Sequence, residues 1–337
     1  MHCSKLVALA GFASVALAHP GPHHGISKRE VDRRHDLSTR CSEHVARFNE
    51  KRWNRSINKR SHDHNTTVQV QTEAPYYDVI QNDTCVLTPE VTEGPYIWPQ
   101  SQTLRQDMTE DQIGVPLWLD VGVLDMNTCE PLEGVLVDFW HCNATGSYSS
   151  FTGLSPNTPF ETLLNELNVT DFDIGTTDLH TDDTTWLRGM WPTDHNGMME
   201  MKTIFPGWFP CHFTGPPFRL TFPPGFYIER AIHIHVQVHT DWTIRGNGTM
   251  AYGNTVSTGQ IYFDEQLEKK IMALEPYASH TEINRTTNAN DSVFSEDTDG
   301  GYSPVISVVP IDGNDLSKGM VGYITVGVDP TAIETDL

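Results

Sequence analysis

From about residue 78 to 330 the chain alternates between short apolar runs and clusters of Gly, Pro, Asn and Asp. The runs are six to nine residues long and rich in β-branched and aromatic side chains: 117–124, 134–140, 199–205, 231–239, 258–263, 304–310 and 320–328. Runs of that length, bounded by turn residues, predict strands. Their regular recurrence predicts an all-β sandwich with long loops. Helix-forming patterns are few, near 160–168 and 263–274. Upstream, residues 35–62 carry good helix formers with scattered charge, as in Ser42 to Asn54, and predict one helix followed by a polar link to Tyr77. No internal repeat of fixed period is visible.

The first 18 residues have a different pattern. Lys5, the apolar stretch Leu6–Leu17 and the Ala16-Leu17-Ala18 cleavage site read as a secretory signal. Residues 19–34 are low in complexity, and the dibasic pairs Lys28-Arg29 and Arg33-Arg34 suggest a short pro-segment. The expected organisation is thus signal peptide 1–18, pro-segment 19–34, helix and linker 35–77, and one sandwich 78–330, secreted to the extracellular space. Eight N-x-S/T sequons, from Asn54 to Asn290, suit that route. No later segment reaches the 18 apolar residues of a membrane span.

Charge divides the chain unevenly. Residues 1–60 hold 12 of the 22 Lys and Arg but 5 of the 44 Asp and Glu, which leaves 10 basic and 39 acidic residues downstream, a net of −29. An acidic body repels polyanions, so neither nucleic acid nor an anionic membrane is an expected partner. The pattern specifies no oligomeric state. Five cysteines remain beyond the signal (Cys41, Cys85, Cys129, Cys142 and Cys211), an odd number in an oxidising compartment.

The chemistry concentrates in Tyr227-Ile-Glu-Arg230-Ala-Ile-His233-Ile-His235. Side chains of a strand alternate faces, so His233 and His235 offer two imidazoles to one ion. A lone strand histidine is usually structural; two at this spacing beside Tyr and Arg are less often so.

This cluster, together with six other blocks, resembles the secreted fungal branch of the intradiol ring-cleavage dioxygenases. The blocks are Cys85–Tyr96 (CVLTPEVTEGPY), Cys129–Gly134, Val137–Ser149 (VDFWHCNATGSYS), Trp186–Asp194, Lys202–Gly207 and Thr258–Phe263, and the likeness spans roughly 80–295. It implies one non-haem Fe(III) per chain, held by Tyr148, Tyr227, His233 and His235. Phenolate and imidazole donors suit so hard an ion. The resemblance also implies O2-dependent opening of a small catechol-type phenolic, between its hydroxylated carbons, to a cis,cis-muconate-type diacid. In that scheme Arg230 steadies developing negative charge, and Tyr227 is the tyrosinate that leaves the metal to take a substrate proton. Trp140 and His141 are expected to pack beside the site, and Arg188 to make a structural ion pair.

One stretch departs from the family pattern. Pro206-Gly207-Trp208 leads to Phe209, where tyrosine is expected, and Tyr227 follows only after further residues. Removing 209–226 restores a close family match, which suggests an insertion or a retained intron. It would also remove Cys211 and leave four cysteines, enough for two disulfides. Three other readings compete. A catalytically silent sandwich would bind carbohydrate or phenolics. An Fe(II) oxygenase would use His239, Asp241 and a distant His280. A copper brace would use His19.

Overall fold

The computed structural model describes residues 36, 39–48, 91–98, 103–172, 177–208, 230–246, 250–251, 253–298 and 303–331. The expected signal and pro-segments, the polar link, Cys85, the 209–226 stretch and Tyr227 lie outside the described residues.

The strands in chain order are β1 (Pro116–Asp125), β2 (Glu130–Pro131), β3 (Leu136–Trp140), β4 (Arg188–Pro192), β5 (Met198–Ile204), β6 (His233–Thr240), β7 (Thr243–Ile244), β8 (Met250–Ala251), β9 (Asn254–Tyr262), β10 (Ser307–Pro310) and β11 (Met320–Val328). One sheet runs β10-β11-β1-β2, with β5 also paired to β1; the other runs β4-β3-β6-β9. The β1–β11 pairing is parallel and the rest of both sheets is antiparallel. The two sheets face each other across a single apolar core. Leu117, Leu119, Val121 and Val123 of β1 meet Val137 and Phe139 of β3 and Ile234, Val236 and Val238 of β6 there. The expected sandwich is therefore present, with few short helices: 39–48, Phe160–Glu166, Glu265–Ile271 and Ser292–Thr298 among the described residues.

All seven predicted runs contain a strand. β4 went unpredicted because Arg188, Gly189 and Pro192 dilute its apolar signal. Pro192 is tolerated because β4 is an edge strand. The helix at 39–48 matches the expected one; residues past 48 are not described until 91. It buries Cys41, Val45 and Phe48, spaced for one helical face, on Leu124, Met126 and Met198. Those residues alternate with the core positions of β1 and β5, so the helix lies on the outer side of the five-stranded sheet. A disulfide between Cys41 and Cys129 fixes it there.

Cys142 is a free, buried thiol. The second of the two disulfides that four cysteines could form is not made at this position: Sγ donates to the Gly207 carbonyl, and burial pushes the thiol up to about 12. Cysteine parity therefore gives no support to an insertion at 209–226.

Candidate active site

Because β6 is buried on both faces, its alternation sorts the sequence in two. Ile234, Val236 and Val238 enter the sandwich core, while His233, His235, Gln237 and His239 line the other side of the sheet. Neighbouring strands continue that polar face. Trp140 of β3 stands opposite His235, and Gln260 and Tyr262 of β9 stand opposite His235 and His233. A roof from segments 91–98, 141–172 and 177–187 covers it, with Tyr96, Tyr148, Phe151 and Phe160 in one apolar cluster beside Trp140.

The two histidines converge. Their Nε2 atoms are 3.2 Å apart. His233 Nδ1 lies 2.7 Å from the Ala231 carbonyl, an acceptor only, so Nδ1 carries the proton and Nε2 presents its lone pair. The His235 ring lies flat on Trp140, with centroids 4.8 Å apart and planes 1° apart. Burial, and next the Arg230 guanidinium, bring His233 down to about 3. Burial, and next His233, hold His235 well below the ordinary histidine value. Both imidazoles are thus neutral and able to donate to a metal.

Tyr148 is buried, stacked on Tyr96 at 4.6 Å and 9°, with its ring centroid 6.4 Å from that of His235. The turn before it is built by Asn143, whose Oδ1 accepts from the Thr145 and Ser147 amides and from the Thr145 hydroxyl. Asn143 Nδ2 donates to Gln112 Oε1, so this sequon's amide is engaged inside the fold. Gly146 closes the turn at φ +84°, where a Cβ would come within 2.7 Å of the Trp208 carbonyl.

Arg230 is 4% exposed. Its Nε donates to both Asp291 oxygens, at 3.0 and 3.2 Å, and its guanidinium also donates to Gln260 Oε1 and, at 2.9 Å, to Tyr262 Oη. Gln237 Nε2 donates to Glu93 Oε2 and Thr258 Oγ1, and burial raises the Glu93 carboxyl despite the Gln237 bond. The roles of Asp291, Gln260, Tyr262 and Glu93 went unread in the sequence. Gln260 and Tyr262 repeat the i, i+2 spacing of the histidines, which was the available signal.

Trp140 and His141 pack as expected. Both His141 nitrogens are engaged, with the Cys142 carbonyl and Thr203 Oγ1 at 2.7 Å each. Arg188 donates to Ser149 Oγ and to the carbonyls of Tyr96 and Ser149. His239, Asp241 and His280 do not assemble. His239 Nδ1 is bonded to Thr255, His280 is stacked on Trp208 and bonded to Asn157, and no group of three His, Cys, Asp or Glu among the described residues is arranged to hold a metal. The Fe(II) oxygenase reading is thereby overturned. A metal centre here would need donors beside the His233–His235 pair other than the His, Cys, Asp and Glu of the described residues. The pair itself fits an ion: two cis imidazole nitrogens at about 2.0–2.1 Å from one metal stand about 3 Å apart.

A family model described as "Dioxygenase" matches residues 92–266, from the roof segment through β9. Catechol 1,2-dioxygenase of Acinetobacter baylyi is 27% identical over 158 residues, 46% of this chain and 42% of that protein, so the match spans less than half the length of that relative. Among solved structures, the intradiol ring-cleavage dioxygenase from Tetranychus urticae superposes with a TM-score of 0.54 at 26% identity, over 74% of this chain and 98% of the other. With a sandwich that presents two neutral, converging imidazoles beside a buried tyrosine and arginine, the chain belongs to the intradiol ring-cleavage dioxygenase family.

Proposed function

We propose that this chain is a secreted, non-haem Fe(III) intradiol dioxygenase that opens small catechol-type phenolics with O2, giving cis,cis-muconate-type diacids. The observation that carries the reading is the 3.2 Å approach of His233 Nε2 to His235 Nε2 under a roof that contains Tyr148. Tyr148, Tyr227, His233 and His235 would hold the metal. Ferric iron there would activate the catechol ring toward O2.

The chain's own groups have separable tasks. The Ala231 carbonyl and the Trp140 ring hold the imidazoles in orientation. Arg230, charged at every working pH, faces the side where negative charge develops on the opening ring. Tyr227 takes a phenolic proton from the substrate. The aromatic roof keeps bulk water off the reacting carbons and strengthens each of these interactions. The signal-like segment 1–18 supports export; N-terminal sequencing of protein recovered from the culture medium tests it.

A visible spectrum with iron quantitation, before and after anaerobic catechol, tests the whole reading. A reddish phenolate-to-iron band at one iron per chain, shifting on catechol addition, is the expected result. A colourless, iron-free protein overturns it and leaves a binding sandwich. Repeating the measurement on a 209–226 deletion tells whether that stretch blocks the site.

A further inference from the structure

The buried carboxylate of Asp291 is 61 residues from Arg230 in sequence and 1% exposed, and it joins the site's frame to the helix that follows it. It receives the Arg230 Nε on both oxygens. It receives the Ala231 amide at 2.7 Å. It also receives the Val293 and Phe294 amides at 2.9 and 3.2 Å, which makes it the cap of the Ser292–Thr298 helix. Ala231 is the hinge of the arrangement. Its N–H is held by Asp291, and its carbonyl accepts from His233 Nδ1. One side chain therefore ties together the guanidinium, the backbone that leads into β6, and the first histidine.

The electrostatics agree with the geometry. Burial alone would push this carboxyl up, but the neighbouring Arg230 guanidinium, with the Ala231 amide, holds it below the usual carboxylate range. A buried ion pair stabilises little by itself, because both charges lose their hydration. What it fixes is direction. With Nε committed to Asp291, Nη2 of the guanidinium is held toward Gln260 and Tyr262 on the face beside His233.

We infer that Asp291 is a positioning residue for ring cleavage: it acts through Arg230, aiming the guanidinium at the developing negative charge, and touches neither metal nor substrate. This rests on the dioxygenase reading above, in which Arg230 faces the substrate.

The test is a double-mutant cycle with Asp291→Asn and Arg230→Gln, in which Asn keeps an acceptor for the backbone amides and loses the charge. In the otherwise native protein Asp291→Asn should leave iron content and the visible band unchanged and lower kcat/KM about 10- to 100-fold. The loss should fall mainly on kcat, with anaerobic catechol affinity little changed. In the Arg230→Gln background the same substitution should cost little more, since the group it acts through is gone. Equal losses in both backgrounds, or no loss in the first, overturn the proposal.

A second readout needs neither iron nor turnover. In the metal-free wild type the Arg230 Nε–H, assigned by its absence in Arg230→Gln, should exchange with solvent far more slowly than surface arginines. An Nε–H that exchanges as freely as those also overturns the tie. If the wild type takes up no iron and opens no catechol, the dioxygenase reading fails, and Nε–H exchange alone decides the Asp291–Arg230 link.

Discussion

The two faces of β6 are buried to the same degree and built on opposite rules. The face toward the sandwich core carries Ile234, Val236 and Val238, and any well-packed apolar set of similar volume would serve there. The face beneath the roof carries His233, His235, Gln237 and His239, each with particular partners. Desolvating those polar groups costs free energy that the inner face and the rest of the core must offset. The comparison separates what keeps this chain folded from what equips it to act: one strand does both, with alternate residues.

Substitutions break the comparison unequally. The largest effect is expected from His235→Gln on the outer face, which should abolish iron uptake and the visible band while the chain still folds; metal analysis with a thermal melt of the metal-free protein checks both halves. Removal of the Cys41–Cys129 bridge comes next. It closes a loop of 88 residues on the far side of the other sheet, and its loss should cost about 4–5 kcal/mol by loop-closure entropy. Denaturant titration of Cys41→Ala/Cys129→Ala measures the cost, and at temperatures where the variant is folded its iron band should be unchanged.

On the inner face, Ile234→Ala should destabilise by about 2–5 kcal/mol, and Ile234→Val by about 0.5–1.5 kcal/mol. Iron per folded chain should stay at the wild-type value although Ile234 sits between the two histidines; a lost band would show that the faces are not separable. The last effect is set by pH and grows with acidity. Burial brings His141 down to about 4 and His239 to about 3 in the folded chain. The unfolded chain takes up these protons below about pH 6.5, so their contribution is complete above that value. It is lost as pH falls toward 4 and 3, at about 1.4 kcal/mol per pH unit for each histidine. Denaturant midpoints of the metal-free protein at pH 7, 6 and 5 should fall accordingly; a flat profile would mean that these imidazoles are already charged.

The same division explains what could be read beforehand. Apolar runs mark the core face, so β1, β3, β5, β6, β9, β10 and β11 were legible in the sequence, whereas β4, with Arg, Gly and Pro, was not. His233 and His235 were legible because two imidazoles on one strand share a local spacing. Tyr148 needed the family likeness, since a lone tyrosine after a turn carries no metal signature. Asp291 was out of reach. Its neighbours, Asn-Asp-Ser ahead of Val-Phe, announce a helix cap, but its bond to Arg230 exists only once β6 and the 292–298 helix are packed. Cysteine parity misled because it counts thiols without placing them: Cys41 meets Cys129, while Cys142 lies against the Gly207 carbonyl.

The buried Cys142 thiol carries one further consequence, for kinetics. It sits where the turn that leads to Tyr148 presses on the end of β5, a contact so close that a Cβ at Gly207 would come within 2.5 Å of the Asn143 and Ala144 carbonyls. Thiol reagents attack the thiolate and need access to it, and the closed joint allows neither. Alkylation at Cys142, followed by peptide mapping, is therefore a clock that advances only when this joint breathes, and its rate reports how often the tyrosine's support comes apart in the native protein.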